Sequence, residues 1–135
     1  MSKFVYNRNL RDSAFESKTA LPAAGATAYT KVFDFEQRQS GEIENIDASV
    51  KVPRLPDLVT GKKLTATLQD SEDGETFADT NPAIIATVVG GSDGATEEEL
   101  RFRFPPATRR FVRLALAVET GGGTNTASVE FALLF

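Results

Sequence analysis

The 135-residue sequence contains no cysteine, no histidine and no tryptophan. Without cysteine there is no disulfide framework and no thiolate metal site, which leaves the redox compartment open. Without histidine the chain lacks the commonest transition-metal ligand and the usual general base near neutral pH. With no tryptophan, and Tyr6 and Tyr29 as the only tyrosines, few aromatic platforms exist for stacking on a sugar. No hydrophobic run approaches the ~20 residues of a membrane span. The opening Met1-Ser2-Lys3-Phe4-Val5-Tyr6 also lacks the longer apolar segment of a secretory signal. The expectation is a protein made in the cytoplasm with no membrane partner. Positive charge is in short supply too: 15 Lys and Arg against 19 Asp and Glu give a net charge of −4, which argues against a nucleic-acid partner.

What is present reads as β-structure. Sustained helical periodicity is missing, and a chain of this size suits one domain burying roughly two-thirds of its unfolded surface. Leu100-Arg101-Phe102-Arg103-Phe104 alternates apolar and charged residues at period two, and Pro105-Pro106 ends the run. Val112, Leu114, Leu116 and Val118 form the buried row of the next strand, with Phe111, Arg113, Ala115 and Ala117 on its other face. Gly121-Gly122-Gly123 turns the chain into a last strand whose inward row is Val129, Phe131, Leu133 and Phe135. Upstream, residues 28–35 read as a strand with Tyr29, Phe33 and Phe35 on one side and Val32 on the other. Ala48, Val50 and Val52 share a register, Pro53 and Pro56 bracket a crossing between sheets, and Leu64, Ala66 and Leu68 alternate with Thr65 and Thr67. Asp73-Gly74 marks a hairpin and Ile84 to Val89 a further β-branched strand. Short strands with regularly spaced turns predict an all-β, antiparallel β-sandwich of jelly-roll type over residues 28–135. Residues 1–27 are aperiodic and lean basic, and read as an extended N-terminal arm and connector.

Five clusters invite a functional reading. Asp70, Glu72, Asp73 and Glu75 offer oxygen ligands for calcium, but with Gly74 in the glycine position an EF-hand loop would begin at Gln69, so a solvated hairpin tip fits better. Glu97-Glu98-Glu99 fits a solvated loop better than acid–base chemistry. Arg101, Arg103, Arg109, Arg110 and Arg113 are the one basic concentration, and on adjacent strands they would form an outward stripe, either solvated beside partners such as Glu130 or docked on an acidic protein surface. Ala132 and Leu134, together with Phe111, Ala115 and Ala117, are apolar residues off the core registers, which subunit contact explains. In the arm, Phe4, Tyr6, Leu10 and Phe15 are candidate anchors for a partner.

The blocks from Thr65 to Phe77, from Glu99 to Pro106 and from Thr108 to Leu114, in that order and followed by a short aromatic last strand after a Gly-rich turn, resemble the jelly-roll capsid cement (decoration) proteins of tailed bacteriophages. The resemblance covers residues 28–135. It implies a non-enzymatic virion protein without a cofactor that sits on the outer capsid surface and bridges major capsid protein subunits as a homodimer or homotrimer. On that reading Phe4, Tyr6, Arg101, Arg103, Arg109 and Arg113 are capsid-docking candidates, and Phe111, Ala132 and Leu134 self-association candidates. A carbohydrate-binding jelly-roll module is the alternative.

Overall fold

The computed structural model describes residues 16–35 and 46–134. Ten strands run through them: β1 (Glu16–Ala20), β2 (Thr27–Tyr29), β3 (Phe33–Asp34), β4 (Asp47–Val52), β5 (Lys63–Ser71), β6 (Ala78–Asp79), β7 (Ile85–Val89), β8 (Glu98–Arg103), β9 (Phe111–Val118) and β10 (Ser128–Leu134). They form two antiparallel sheets. The first, sheet A, has the order β1-β10-β4-β8; the second, sheet B, runs β2-β9-β5-β6, with β3 also on β9 and β7 also on β5. Early strands pair with late ones and middle strands with each other, the nested winding of a jelly roll.

The core lies between the sheets and is built by the period-two rows. In sheet B, Leu64, Ala66 and Leu68 of β5 stand opposite Val118, Leu116 and Leu114 of β9, and all six are buried. In sheet A, Val50 stands opposite Phe131 and Ala48 opposite Leu133, all at 2% exposure or less. Two aromatic contacts bridge the layers: Phe33 to Phe131 and Phe35 to Phe104, each with ring centroids 5.3 Å apart. Such tilted and edge-on pairs add about 0.5–1.5 kcal/mol beyond area burial. Phe102 packs edge-on against Phe104 at 5.5 Å and is only partly buried, because β8 is an edge strand. Phe135 lies outside the described residues.

Three expectations need correction. The strand at 28–35 is broken: Thr30 turns its hydroxyl to accept the Leu114 N–H at 2.9 Å, splitting the run into β2 and β3. The break shifts the register, so Phe33 and Phe35 are buried while Tyr29 is half exposed. Residues 16–20, read as part of the arm, are a strand paired in register with Ser128 to Ala132 of β10. Their inward residues are Ser17 and Thr19, so no hydrophobic alternation marks them in the sequence. The third correction concerns β8 and β9, which are not neighbours. The Pro105-Pro106 crossing carries the chain from sheet A to sheet B.

The crossing after β4 behaves as expected of Pro53 and Pro56. It is pinned by a small bridge in which Leu55 and Ala95 exchange backbone bonds of 2.9 and 2.8 Å. Gly94 beside it has φ +81°, and a Cβ there would overlap the Leu55 carbonyl. Only glycine fits both constraints.

Candidate interaction surfaces

The outer faces of the two sheets are built from the alternate residues of the same strands, and they differ in kind. On sheet A, one cross-strand row reads Lys18, Glu130, Lys51, Glu99, alternating in sign across all four strands. In the adjoining rows Arg101 stands opposite Ser49, and Arg103 opposite Asp47. The Arg103 Nε donates to Asp47 Oδ1 at 3.2 Å, and Arg101 Nη2 lies 3.9 Å from Asp47 Oδ2. Each exposed pair contributes about 0–1 kcal/mol, so this face specifies charge pattern more than stability.

Sheet B presents the opposite. Two complete rows are uncharged: Tyr29, Ala115, Thr67, Ile85 and Thr27, Ala117, Thr65, Thr87. Tyr29, Ile85 and Val89 on this face are 50%, 52% and 52% exposed, three of the five exposed large hydrophobic residues among those described. At one end of the rows the Arg113 guanidinium carbon lies 3.9 Å from the Tyr29 ring centroid and 4.0 Å from that of Phe77, while its Nε donates to Gln69 Oε1 at 3.0 Å. Arg113 thus lies over both rings, a pair of cation–π contacts.

The arginine stripe therefore does not exist as one surface. Arg101 and Arg103 belong to sheet A's outer face and Arg113 to sheet B's. Arg109 is turned to the core end of β5. Its backbone N–H donates to Asp70 Oδ2 at 2.9 Å, its Nε and Nη2 donate to Asp70 Oδ1 at 3.2 and 2.9 Å, and Nη2 also reaches the Asp70 carbonyl at 3.1 Å. The Asp70 carboxylate pushes the Arg109 pKa up from an already high ordinary value. Arg109 ties the crossing to β5 and so has a structural task. Arg110 pairs with Asp34 through bonds of 2.7 and 3.0 Å. Glu130 faces lysines rather than these arginines.

The self-association candidates are also redistributed. Ala132 and Leu134 do lie on sheet A's outer side, but at 1% and 4% exposure they present no surface to a second copy, a correction to their expected role. Ala132 is a short side chain on a central strand, in line with Glu16 and Ser49 of the flanking strands. Phe111 is half-buried on sheet B's outer side, with the Arg110 guanidinium 4.9 Å above its ring and Gly74 packed close. Phe4 and Tyr6 lie outside the described residues.

The acidic hairpin is closed by its own bonds. Asp73 Oδ1 accepts from the Ser71 hydroxyl at 2.8 Å and from the Glu75 and Thr76 N–H groups at 2.9 and 3.0 Å. Those donors, the backbone bonds foremost, lower its pKa to about 2. Among the described residues no group of three or more Asp and Glu is placed to hold a metal ion. The neutrality of sheet B's outer face was readable in the alternating Thr65, Thr67 and Ile85, Thr87, Val89, but only once these strands were known to be neighbours. Compared with known proteins, the sequence matches no family model and no curated protein.

Proposed function

We propose that this chain is a structural virion protein that binds the outside of an icosahedral phage capsid as a homo-oligomer and stabilises it by bridging major capsid protein subunits. The observation that carries this reading is the division of labour between the two outer faces of one jelly roll. An ionic face with Arg101 and Arg103 at its edge is suited to charge-matched docking on a shell protein, because complementary charge steers and registers an encounter. The two uncharged rows on sheet B's outer face suit contact with an identical chain, which carries the same net charge of −4 and would be repelled across a charged surface. The sequence resemblance to capsid cement proteins points the same way. Nothing in this role requires a catalytic group or a cofactor: a protein that binds the assembled shell and not its dissociated subunits stabilises the shell by mass action.

The test is co-sedimentation with purified capsids lacking this protein, with insoluble polysaccharide as the competing substrate. The reading predicts saturable binding to capsids that weakens when Arg101 and Arg103 are both changed to Glu. Binding to polysaccharide and not to capsids would replace it with the carbohydrate-binding alternative.

A further inference from the structure

The β8 edge of sheet A and the β7 edge of sheet B are protected unequally. In sheet A the edge strand β8 carries Glu98, Glu99, Arg101 and Arg103, charges that oppose pairing with another strand. Among the described residues, the β7 edge of sheet B has no such guard. Ile85-Ala86-Thr87-Val88-Val89 contains no charge, no proline and no glycine, and both Ile85 and Val89 are 52% exposed. A bare β-branched edge is a template for strand pairing.

The phase of its unpaired backbone is fixed by the ladder on its other side. Leu68 N–H donates to the Ile84 carbonyl at 3.0 Å and Gly90 N–H to the Lys62 carbonyl at 2.9 Å. In an antiparallel ladder the groups turned toward one neighbour alternate with those turned away. Ile84, Ala86, Val88 and Gly90 therefore face β5, while the N–H and C=O groups of Ile85, Thr87 and Val89 face the open edge. Beside that edge lies a cleft of about 240 Å³ between the sheets, walled by Val50, Val52, Leu100, Ala86 and Val88 together with Glu98 and Glu99 of β8.

We infer that β7 pairs antiparallel with β7 of a second copy across a two-fold axis at Thr87, joining the two B sheets into one. This rests on the self-association half of the proposed function, places that contact at the edge of sheet B instead of across its outer face, and does not depend on which shell is bound. The strand is complementary to itself in this register and in no charged sense opposed to itself. Thr87 meets its own mate, and Ile85 meets Val89 of the second copy on each side of the axis. Each of these is a hydrogen-bonded pair, because the same three residues carry the outward-facing groups. The two Ile–Val contacts cover the exposed apolar side chains at the edge, and the added strand lies along the mouth of the cleft. A strand of five residues spans about 17 Å, so the contact falls at the small end of specific interfaces and dissociates on dilution.

The absence of cysteine makes the test direct. Opposed residues of a hydrogen-bonded pair have Cα atoms about 5.5 Å apart, within disulfide range. Full-length Thr87→Cys is expected to form a covalent dimer on mild oxidation, and Thr124→Cys, exposed in the β9–β10 loop, is expected not to. In sedimentation, wild type should self-associate with rising concentration. Val89→Lys should weaken that association by about tenfold or more, since an edge lysine blocks pairing. Thr87→Pro gives a second route, removing an N–H that makes no bond to β5. Circular dichroism checks that each variant is folded, and Val89→Lys alone suffices if the proline variant is not. A chain that stays monomeric, or Thr87→Cys that cross-links no faster than Thr124→Cys, would overturn the inference. So would an oligomer broken by Ala115→Arg and untouched by Val89→Lys, which would assign self-association to the face of sheet B and leave the proposed function standing. No capsid enters the experiment, so its failure is separate from failure to bind a shell.

Discussion

Asp70 is a carboxylate at the core end of β5, in the same alternating row as Leu64, Ala66 and Leu68, and its side chain is 7% exposed. Three N–H groups of Arg109 converge on it, one from the backbone and two from the guanidinium. Changing Asp70 to Ala orphans that backbone N–H and leaves the guanidinium only the residue 70 backbone carbonyl. Hydrogen bonds to charged groups contribute about 1.5–3 kcal/mol each, and breaking a buried pair costs about 3–5 kcal/mol. The Arg109 side chain is 38% exposed, so water replaces part of what is lost, and the expected cost falls to about 2–3 kcal/mol. Asp70→Asn keeps an acceptor for the backbone N–H and should cost about 1 kcal/mol. Arg109→Ala leaves the carboxylate buried with one donor and should cost about as much as Asp70→Ala. The assay is urea unfolding followed by circular dichroism, with the double mutant completing a thermodynamic cycle. A coupling energy of about 1–2 kcal/mol is expected, because the two side chains act on each other. Single mutants within about 0.5 kcal/mol of wild type would refute the claim that this pair anchors the crossing.

Leu114→Ala, at a position 1% exposed and opposite Leu68, should lower stability by about 2–5 kcal/mol in the same assay. Gly94→Ala must adopt a left-handed backbone conformation against the Leu55 carbonyl and should cost at least ~1–3 kcal/mol by thermal unfolding. Asp73 has a folded pKa of about 2, below its ordinary 3.8, so its contribution to the hairpin is full above pH ~4 and is lost as pH falls through its folded pKa. An NMR titration of its carboxyl carbon should show that low midpoint, and Asp73→Ala should speed amide exchange at Glu75 and Thr76.

The core was legible because burial on one face of a strand forces period two, which β9 carries over its whole length, β5 as far as Asp70 and β10 as far as Phe131. Partnership between strands was harder to read. Nothing local in Arg101-Phe102-Arg103 or Arg110 to Arg113 says that Pro105-Pro106 carries the chain to another sheet, and so the arginines looked like one stripe. β1 was invisible for a different reason: it is held by its backbone ladder to β10 and brings only Ser17 and Thr19 inward. Tyr29 was misplaced because one side-chain bond, Thr30 to the Leu114 N–H, breaks the alternation that otherwise runs to Phe35. The apolar pair Ala132 and Leu134 was correctly assigned to the outer side of its strand, yet position on a face does not decide exposure. The uncharged rows on sheet B's outer face come from four strands distant in sequence, and only their registers bring Thr27, Ala117, Thr65 and Thr87 into one row.

The central claim is that the chain holds a shell together. The most direct measurement is the temperature at which capsids prepared without this protein release their contents, taken before and after the purified protein is added back. The account predicts a higher release temperature that saturates once the capsid surface is filled, with a smaller rise for the variant carrying Glu at both Arg101 and Arg103. Capsids that release at the same temperature with and without the protein would contradict it.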